Sequence, residues 1–223
     1  MKLNICSGPN LFPFDGWINY DHEDFDYYID WIKGETTAHM TYLQNLINYV
    51  KGGGELASIK HDLRTGLPQH TDNSVDLIYF GQAVEHFNPI FEVPKIIKEC
   101  YRVLVPGGVL RIITPDLDLL INAYLSGEMD KFAIEQPEFY KNVDASAQLA
   151  MIMYGSCGET STCSKYEGHQ FLFTQKSLTK VLNDAGFKNI KFYYEAGISH
   201  STIMAKECID QGMTHSMICE AVK

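Results

Sequence analysis

The feature that most constrains the fold is an alternation of strand-like and helix-like segments in the middle of the chain. Residues 75–80 form a mostly apolar run typical of a buried strand. Residues 90–104 then repeat apolar side chains at helical spacing, and residues 109–114 form a second apolar run. Strands that are joined through a helix pair in parallel, with a right-handed crossover. This pattern predicts an α/β sheet.

The alternation extends towards both ends of the chain. Further strands are predicted at residues 3–6, 17–20, 56–60, 191–195 and 216–222, and further helices at residues 37–50, 116–125 and 177–185. The predicted fold is therefore a doubly wound, mostly parallel seven-stranded sheet with helices on both faces. Residues 126–168 have mixed periodicity, and we expect a helical insertion or lid there within a single domain that covers residues 1–223.

Composition limits the classes of partner. The formal net charge is −10 and the sequence pI is about 5.2, without the clustered Lys and Arg that a phosphate backbone requires, so no nucleic-acid partner is expected. No segment approaches the roughly 18 apolar residues of a membrane span, and residues 1–10 lack the pattern of a signal peptide. Six cysteines without C-x-x-C spacing indicate reduced thiols. These features predict a cytoplasmic protein without membrane contact, and leave its oligomeric state open.

Small and acidic residues follow the predicted strands where a ligand would bind. In open α/β sheets, ligands lie outside the carboxyl ends of the strands. The first strand leads into Ser7 and Gly8, the second ends at Asp21, and the third is followed by Asp62. Glycine lets the backbone approach a ligand, and a carboxylate can accept hydrogen bonds from both ribose hydroxyls. The series predicts an adenosine site, although each residue alone could equally be a turn residue or a helix cap.

Other nucleotide motifs are absent from the sequence. There is no G-x-G-x-x-G run to seat a pyrophosphate on a helix N-terminus, and there is no P-loop. The predicted site therefore suits a nucleoside without a polyphosphate.

The motifs at these loops resemble those of class I S-adenosylmethionine (SAM) dependent methyltransferases. The resemblance covers most of the chain apart from residues 24–55 and 126–168. Its motifs are L-N-I-C-S-G at 3–8, G-W-I-N-Y-D at 16–21, H-D-L-R at 61–64, D-N-S-V-D-L-I-Y at 72–79, V-E-H-F at 84–87 and E-C-Y-R-V-L-V-P-G-G at 99–108, followed by residues 173–187. The resemblance implies SAM as the cofactor and S-adenosylhomocysteine as the product. It is strongest to members that modify small molecules and sugars, which implies a small-molecule acceptor methylated on oxygen or nitrogen.

The resemblance also implies roles for individual residues. The methionine end of SAM would be wrapped by Cys6, Ser7 and Gly8, the ribose bound by Asp21, the adenine framed by Asp62 and Leu63, and the channel to the acceptor lined by Phe80, Gly81 and Gln82. The sequence departs from the family in its first loop, where Cys6 and Pro9 stand at positions that usually hold glycine. Gly8 also lies only thirteen residues before Asp21. These departures bear on the affinity for SAM.

Two histidines are the candidates for catalysis. Transfer to a hydroxyl benefits from a general base, and His86 and His169 are predicted to supply it, with a packing role as the alternative for each. No metal site is expected. Cys157, Cys163 and His169 are evenly spaced, but their spacing matches no zinc knuckle and a fourth ligand is missing.

Two other functions remain open at this point. A SAM-fold module without catalytic activity could bind a partner or sense the cofactor. An aminopropyl transferase could use the same sheet, and it would need a second acidic pocket for a polyamine.

Overall fold

The computed structural model describes residues 1–8, 11–13, 15–23, 48, 51–53, 57–133, 142–155, 168–195, 197–207 and 214–223. The strands are β1 (Lys2–Ile5), β2 (Trp17–Asp21), β3 (Ile59–Lys60), β4 (Val75–Gly81), β5 (Leu104–Pro115), β6 (Lys188–Tyr193) and β7 (Ser216–Val222). The α-helices are α1 (Val93–Val103), α2 (Leu117–Ser126), α3 (Asp130–Ala133), α4 (Ala145–Tyr154), α5 (Gln175–Ala185) and α6 (Thr202–Glu207). Two 3-10 helices, Leu63–Thr65 and Val84–His86, follow β3 and β4.

The seven strands form one sheet in the order β3-β2-β1-β4-β5-β7-β6. Strands β1 to β5 pair in parallel, and β7 lies antiparallel between β5 and β6. The chain moves outwards in one direction from β1 to β3 and then returns to place β4 on the other side of β1. This arrangement confirms the predicted doubly wound, mostly parallel α/β sheet.

Both faces of the sheet are covered. Along β4, the side chains of Ile78 and Phe80 join the core cluster that includes α1 and α5, whereas Leu77 and Tyr79 join the cluster that includes Met204 of α6. Alternate residues of a strand point to opposite faces, which explains why this strand is apolar apart from the exposed Asp76 near its start. Because both faces of β4 are packed against other elements, a ligand can reach this strand at its carboxyl end.

Several boundaries differ from those predicted. Strand β5 begins at Leu104 rather than at 109, because Pro106, Gly107 and Gly108 form an irregularity within the strand where its register against β4 shifts. Strand β3 has only two described residues, and α6 was not predicted because its six residues are too few to show a helical period. The predicted helix at 37–50 lies outside the described residues, apart from helical Asn48.

Within the predicted insertion, the structure describes α3 and α4. Their apolar side chains pack with those of α2 in a cluster formed by Leu120, Ala123, Met129, Phe132, Ile152 and Leu172. No described helix is long or apolar enough to cross a membrane. The single-domain and lid assignments stay predictions.

A buried ion pair joins β5 to β7. Nη1 of Arg111 donates to Oε1 of Glu220 at 2.6 Å and to the carbonyl of Ile198 at 2.9 Å. The hydroxyl of Ser199 and the backbone N–H of His200 also donate to the Glu220 carboxylate, the latter at 2.7 Å. Arg111 and Glu220 are fully buried, so each charge depends on the other for compensation.

Candidate active site

The strand order reverses between β1 and β4, and the backbone leaves both strands in an unusual conformation. Cys6 follows β1 with a φ of 52°, and Gln82 follows β4 with a φ of 51°. The other three described non-glycine residues with positive φ are asparagines, which tolerate the left-handed region well. The two strained positions therefore face the crevice where open α/β sheets bind their ligands.

The loop after β1 leaves a polar atom without a partner. The backbone N–H of Ser7 donates to the carbonyl of Tyr20 at 2.9 Å, but the buried hydroxyl of Ser7 makes no hydrogen bond. Gly8 has a φ of 51°, and a Cβ added there would meet no other atom within 4 Å. The loop thus offers an unsatisfied hydroxyl beside open space, which fits a polar ligand group such as the methionine end of SAM.

Asp21, at the end of β2, holds this loop. Its Oδ2 accepts from the backbone N–H of Gly8 at 2.8 Å, and its Oδ1 accepts from the N–H of Glu23 at 3.0 Å. Burial favours a higher pKa for Asp21, but hydrogen bonds from His22, Glu23 and Gly8 outweigh it and lower the pKa below its usual value. Asp21 therefore stays ionised, and its carboxylate shapes the loop.

Cys6 is suited to packing rather than to nucleophilic attack. Burial, followed by the negative charge of Asp21, raises the pKa of its thiol well above the ordinary value. A neutral thiol is a poor nucleophile. Cys6 therefore contributes the shape of the loop, in a backbone conformation that glycine would adopt without strain.

Asp62 and Leu63 begin the 3-10 helix that follows β3. The Asp62 side chain is exposed, and its Oδ1 accepts from the backbone N–H of Arg64 at 2.9 Å, which is a helix cap. Leu63 is buried in the core beneath it. The backbone at this position can frame a ligand, whereas the Asp62 carboxylate is already used locally.

The residues after β4 differ in their access to the crevice. The Phe80 side chain is fully buried and packs on Phe87, with ring centroids 6.0 Å apart, so it belongs to the core. Gly81 lies so close to the ring of Tyr79 that a Cβ would come within 2.6 Å of it. Nε2 of Gln82 donates to the hydroxyl of Ser216 at 2.8 Å. Only Gly81 and Gln82 are partly exposed at this end of the strand.

Glu85 lies three residues beyond Gln82, and it forms a cluster with His86 and His169. One potential ligand atom from each lies within 4.8 Å of the others. The rings of His86 and His169 are 4.9 Å apart at their centroids, and Nε2 of His169 is 4.0 Å from Oε1 of Glu85. The two predicted catalytic histidines are therefore brought together, along with a carboxylate to which the sequence analysis gave no role.

Burial controls the charge of this cluster. It raises the pKa of Glu85, against a smaller opposing effect from His86. Burial, with a smaller contribution from the neighbouring His86, lowers the pKa of His169 to about 4. In the absence of a ligand, His169 is thus neutral near pH 7. Glu85 could have been identified from the sequence, because it is an acidic residue directly before His86 and shortly after a buried strand.

The comparisons with known proteins identify the domain. A family model described as a methyltransferase domain matches residues 32–112. The match covers about a third of the chain, and this part of the chain is similar to a methyltransferase domain. The match includes Asp62 and the loop from Gly81 to His86 of the methyltransferase, but it excludes Cys6–Gly8, Asp21 and His169. A sequence search of curated proteins returns no match.

Solved structures share the methyltransferase's fold at low sequence identity. A SAM-dependent methyltransferase from Methanosarcina mazei is 18% identical with a TM-score of 0.53, and the match covers 100% of this chain and 91% of that one. A possible exported protein from Bordetella parapertussis is 12% identical with a TM-score of 0.51, covering 100% and 61%. An O-methyltransferase family protein from Burkholderia thailandensis is 12% identical with a TM-score of 0.51, covering 100% and 50%. Likeness at this identity establishes the fold alone.

The match to a methyltransferase domain over residues 32–112, together with the shared fold, supports the predicted class I SAM-dependent methyltransferase. SAM as the cofactor, with S-adenosylhomocysteine as the product, follows from that family. The residues assigned to the cofactor and to catalysis stay predictions. Cys157 and Cys163 lie outside the described residues.

Proposed function

We propose that this methyltransferase transfers the methyl group of SAM to an oxygen or nitrogen of a small-molecule acceptor, such as a sugar or another metabolite. The observation that carries the proposal is the unpartnered, buried hydroxyl of Ser7 in a left-handed loop at the point where the strand order reverses. A buried polar atom without a partner is costly, so its retention indicates a ligand that satisfies it.

The departures from the family in the first loop do not oppose SAM binding. Cys6 stands where glycine is usual, yet it adopts the left-handed conformation that glycine would provide. The space around Gly8 is open, and the Asp21 carboxylate holds its backbone by accepting a hydrogen bond from the Gly8 N–H. This argument favours an active enzyme over a module that has lost its cofactor.

SAM supplies a methyl group that its sulfonium has already activated. The protein's task is to align the acceptor and to exclude water. Ser7 and Gly8 would bind the methionine end, Asp21 the ribose, and the backbone at Asp62 and Leu63 the adenine. Gly81 and Gln82 would face the reacting atoms. His86 and His169, at the same edge of the sheet, would bind the acceptor's reactive group and control its proton.

An open groove supports a small polar acceptor. It has a volume of about 640 Å³, and it lies by the carboxyl ends of β5 and β6, between α2 and α5. Asp116, Asp118, Asn122, Gln175 and Tyr194 are among its lining residues. Polar side chains with an aromatic wall suit a molecule rich in hydroxyl or amino groups. The net charge of −10 disfavours a nucleic-acid acceptor.

A Ser7→Ala variant tests the cofactor site by calorimetric titration with SAM and with S-adenosylhomocysteine. We expect about five- to tenfold weaker binding, since one hydrogen bond is lost. The stability of the ligand-free protein should stay equal or rise, because an unsatisfied hydroxyl is removed. The matched control is Ser74→Ala, whose hydroxyl bonds the carbonyl of Thr71 at the surface.

Binding of neither cofactor to the wild-type protein would refute the proposal. If SAM does bind, screening pooled metabolites for uptake of tritium from labelled SAM would identify the acceptor. Tight SAM binding without transfer to any pool would favour the sensing module instead.

A further inference from the structure

The cluster of Glu85, His86 and His169 has the composition of a metal site. Two imidazoles and a carboxylate are a common donor set for divalent transition metals, with further positions left to water or substrate. The three donor atoms already lie within 4.8 Å of one another. Ligand atoms around a tetrahedral ion are about 3.4 Å apart when each bond is about 2.1 Å. Displacements of the donor atoms by roughly 1 Å, through side-chain rotation, would therefore bring them to the distances of a metal site.

The Glu85 carboxylate is oriented as a ligand would be. The hydroxyl of Thr114 donates to its Oε2 at 3.0 Å, which fixes the carboxylate, while Oε1 is buried and has no hydrogen-bond partner. Oε1 faces His169 across 4.0 Å, which is too long for a hydrogen bond. Glu85 is only 1% exposed, so water does not satisfy this oxygen from the surface. A buried carboxylate oxygen without a partner is costly, and a cation held between it and the two imidazoles would satisfy it.

Hydrogen bonds from Gln170 join the two segments that carry the cluster. The N–H of Gln170 donates to the carbonyl of Glu85 at 2.8 Å, and its side-chain Nε2 donates to the carbonyl of His86 at 2.9 Å. Gly155 lies against His169 so closely that a Cβ would come within 2.7 Å of the imidazole. The histidine is thus held in place by packing, as a preorganised ligand must be.

We propose that Glu85, His86 and His169 bind one divalent transition-metal cation, of the Zn²⁺ or Mn²⁺ type. This assignment departs from the expectation of no metal that the sequence supported. The two histidines would then serve as ligands instead of as the base: the cation would bind the acceptor's oxygen or nitrogen and lower its pKa, so that the proton it loses passes to water. That role rests on the proposed function, whereas the binding of the cation does not.

Metal binding is tested on untagged protein stripped with a chelator. Calorimetric titrations with ZnCl₂, MnCl₂ and MgCl₂ should give one equivalent of Zn²⁺ or Mn²⁺, with Mg²⁺ weaker because it prefers an all-oxygen shell. Binding should weaken at least 100-fold in His169→Gln. It should weaken about 10- to 100-fold in Thr114→Val, which leaves all three ligands and removes only the support of Glu85.

His200→Gln is the matched control, because His200 is a half-buried histidine that packs on Tyr193 instead. Circular dichroism and melting of each variant without metal would separate lost ligands from lost folding. Wild-type protein that binds no stoichiometric cation would overturn the proposal. Equal loss in His169→Gln and His200→Gln would overturn it as well.

The same protein separates the two proposals. SAM binding measured in excess chelator tests the cofactor site alone. SAM binding without cation binding refutes the metal site and leaves the methyltransferase, whereas cation binding without SAM binding refutes the proposed function and leaves the metal site.

Discussion

Replacing Asp21 with Asn tests whether its carboxylate shapes the cofactor loop before any ligand binds. The carboxylate accepts backbone N–H groups from Gly8 at 2.8 Å and from Glu23 at 3.0 Å. An asparagine of the same shape keeps one acceptor oxygen and turns an NH₂ group towards the other donor. One charge-assisted hydrogen bond is lost and one N–H is left unpaired, so the free energy of unfolding should fall by about 2–3 kcal/mol.

The assay is urea denaturation of the ligand-free protein, with unfolding monitored by circular dichroism. The pKa of Asp21 is lowered in the folded state, so its stabilising effect is present above its unfolded pKa and is lost as pH falls through the folded pKa. The difference between wild type and Asp21→Asn should therefore be greatest near neutral pH and shrink below about pH 4.

Asp62→Asn is the control, because Asp62 is an exposed cap and asparagine caps about as well as aspartate. We expect its stability to change by less than about 0.5 kcal/mol. An Asp21→Asn variant as stable as wild type, with weaker SAM binding, would show that the carboxylate serves only the ribose. The inference that Asp21 holds the loop would then be wrong.

Four further substitutions test other parts of the structure. Arg111→Met and Glu220→Gln each leave a buried charge uncompensated and should each cost about 3–5 kcal/mol in denaturation, with the double variant well below their sum; additive losses would contradict the coupling. Burial lowers the pKa of His215 to about 4. Between about pH 6.5 and about pH 4, His215 is protonated in the unfolded protein but neutral in the folded protein. The free energy of unfolding should therefore fall by about 1.4 kcal/mol for each pH unit over this range. His215→Gln should flatten that loss in denaturant titrations at several pH values, and an unchanged slope would show that His215 is not responsible. Gly81→Ala should lower the melting temperature and weaken SAM binding, since its Cβ would come within 2.6 Å of the Tyr79 ring; wild-type behaviour would show that the ring moves freely.

The core of the sheet was predictable because its signals are local. The run that became β4 is apolar on both faces, and the residues of α1 repeat at helical spacing, so each element could be recognised within its own segment. The same logic placed Gly8, Asp21 and Asp62 at strand ends, since parallel strands end at one edge. The local sequence could not tell how β7 pairs, because β7 is an inner strand buried on both faces, and its largely apolar run resembles that of a parallel strand.

The conformations within the site depend on contacts between distant segments. Nothing near Cys6 in the sequence predicts a φ of 52°, because the residue type disfavours it and only the surrounding loop imposes it. The same applies to Asp21, whose carboxylate could as well have faced solvent. The sequence analysis therefore identified the residues correctly as neighbours, but it could not distinguish a ligand contact from a structural hydrogen bond.

The pairing of Glu85 with His169 shows where the chemistry and the fold meet. The two residues are 84 positions apart in the chain, and the backbone N–H groups of Gln170 and Phe171, which both donate to the carbonyl of Glu85, join them. Those bonds connect the 3-10 helix after β4 to the end of the predicted insertion. A ligand bound by both residues would therefore also stabilise the packing of the His169 segment against this 3-10 helix.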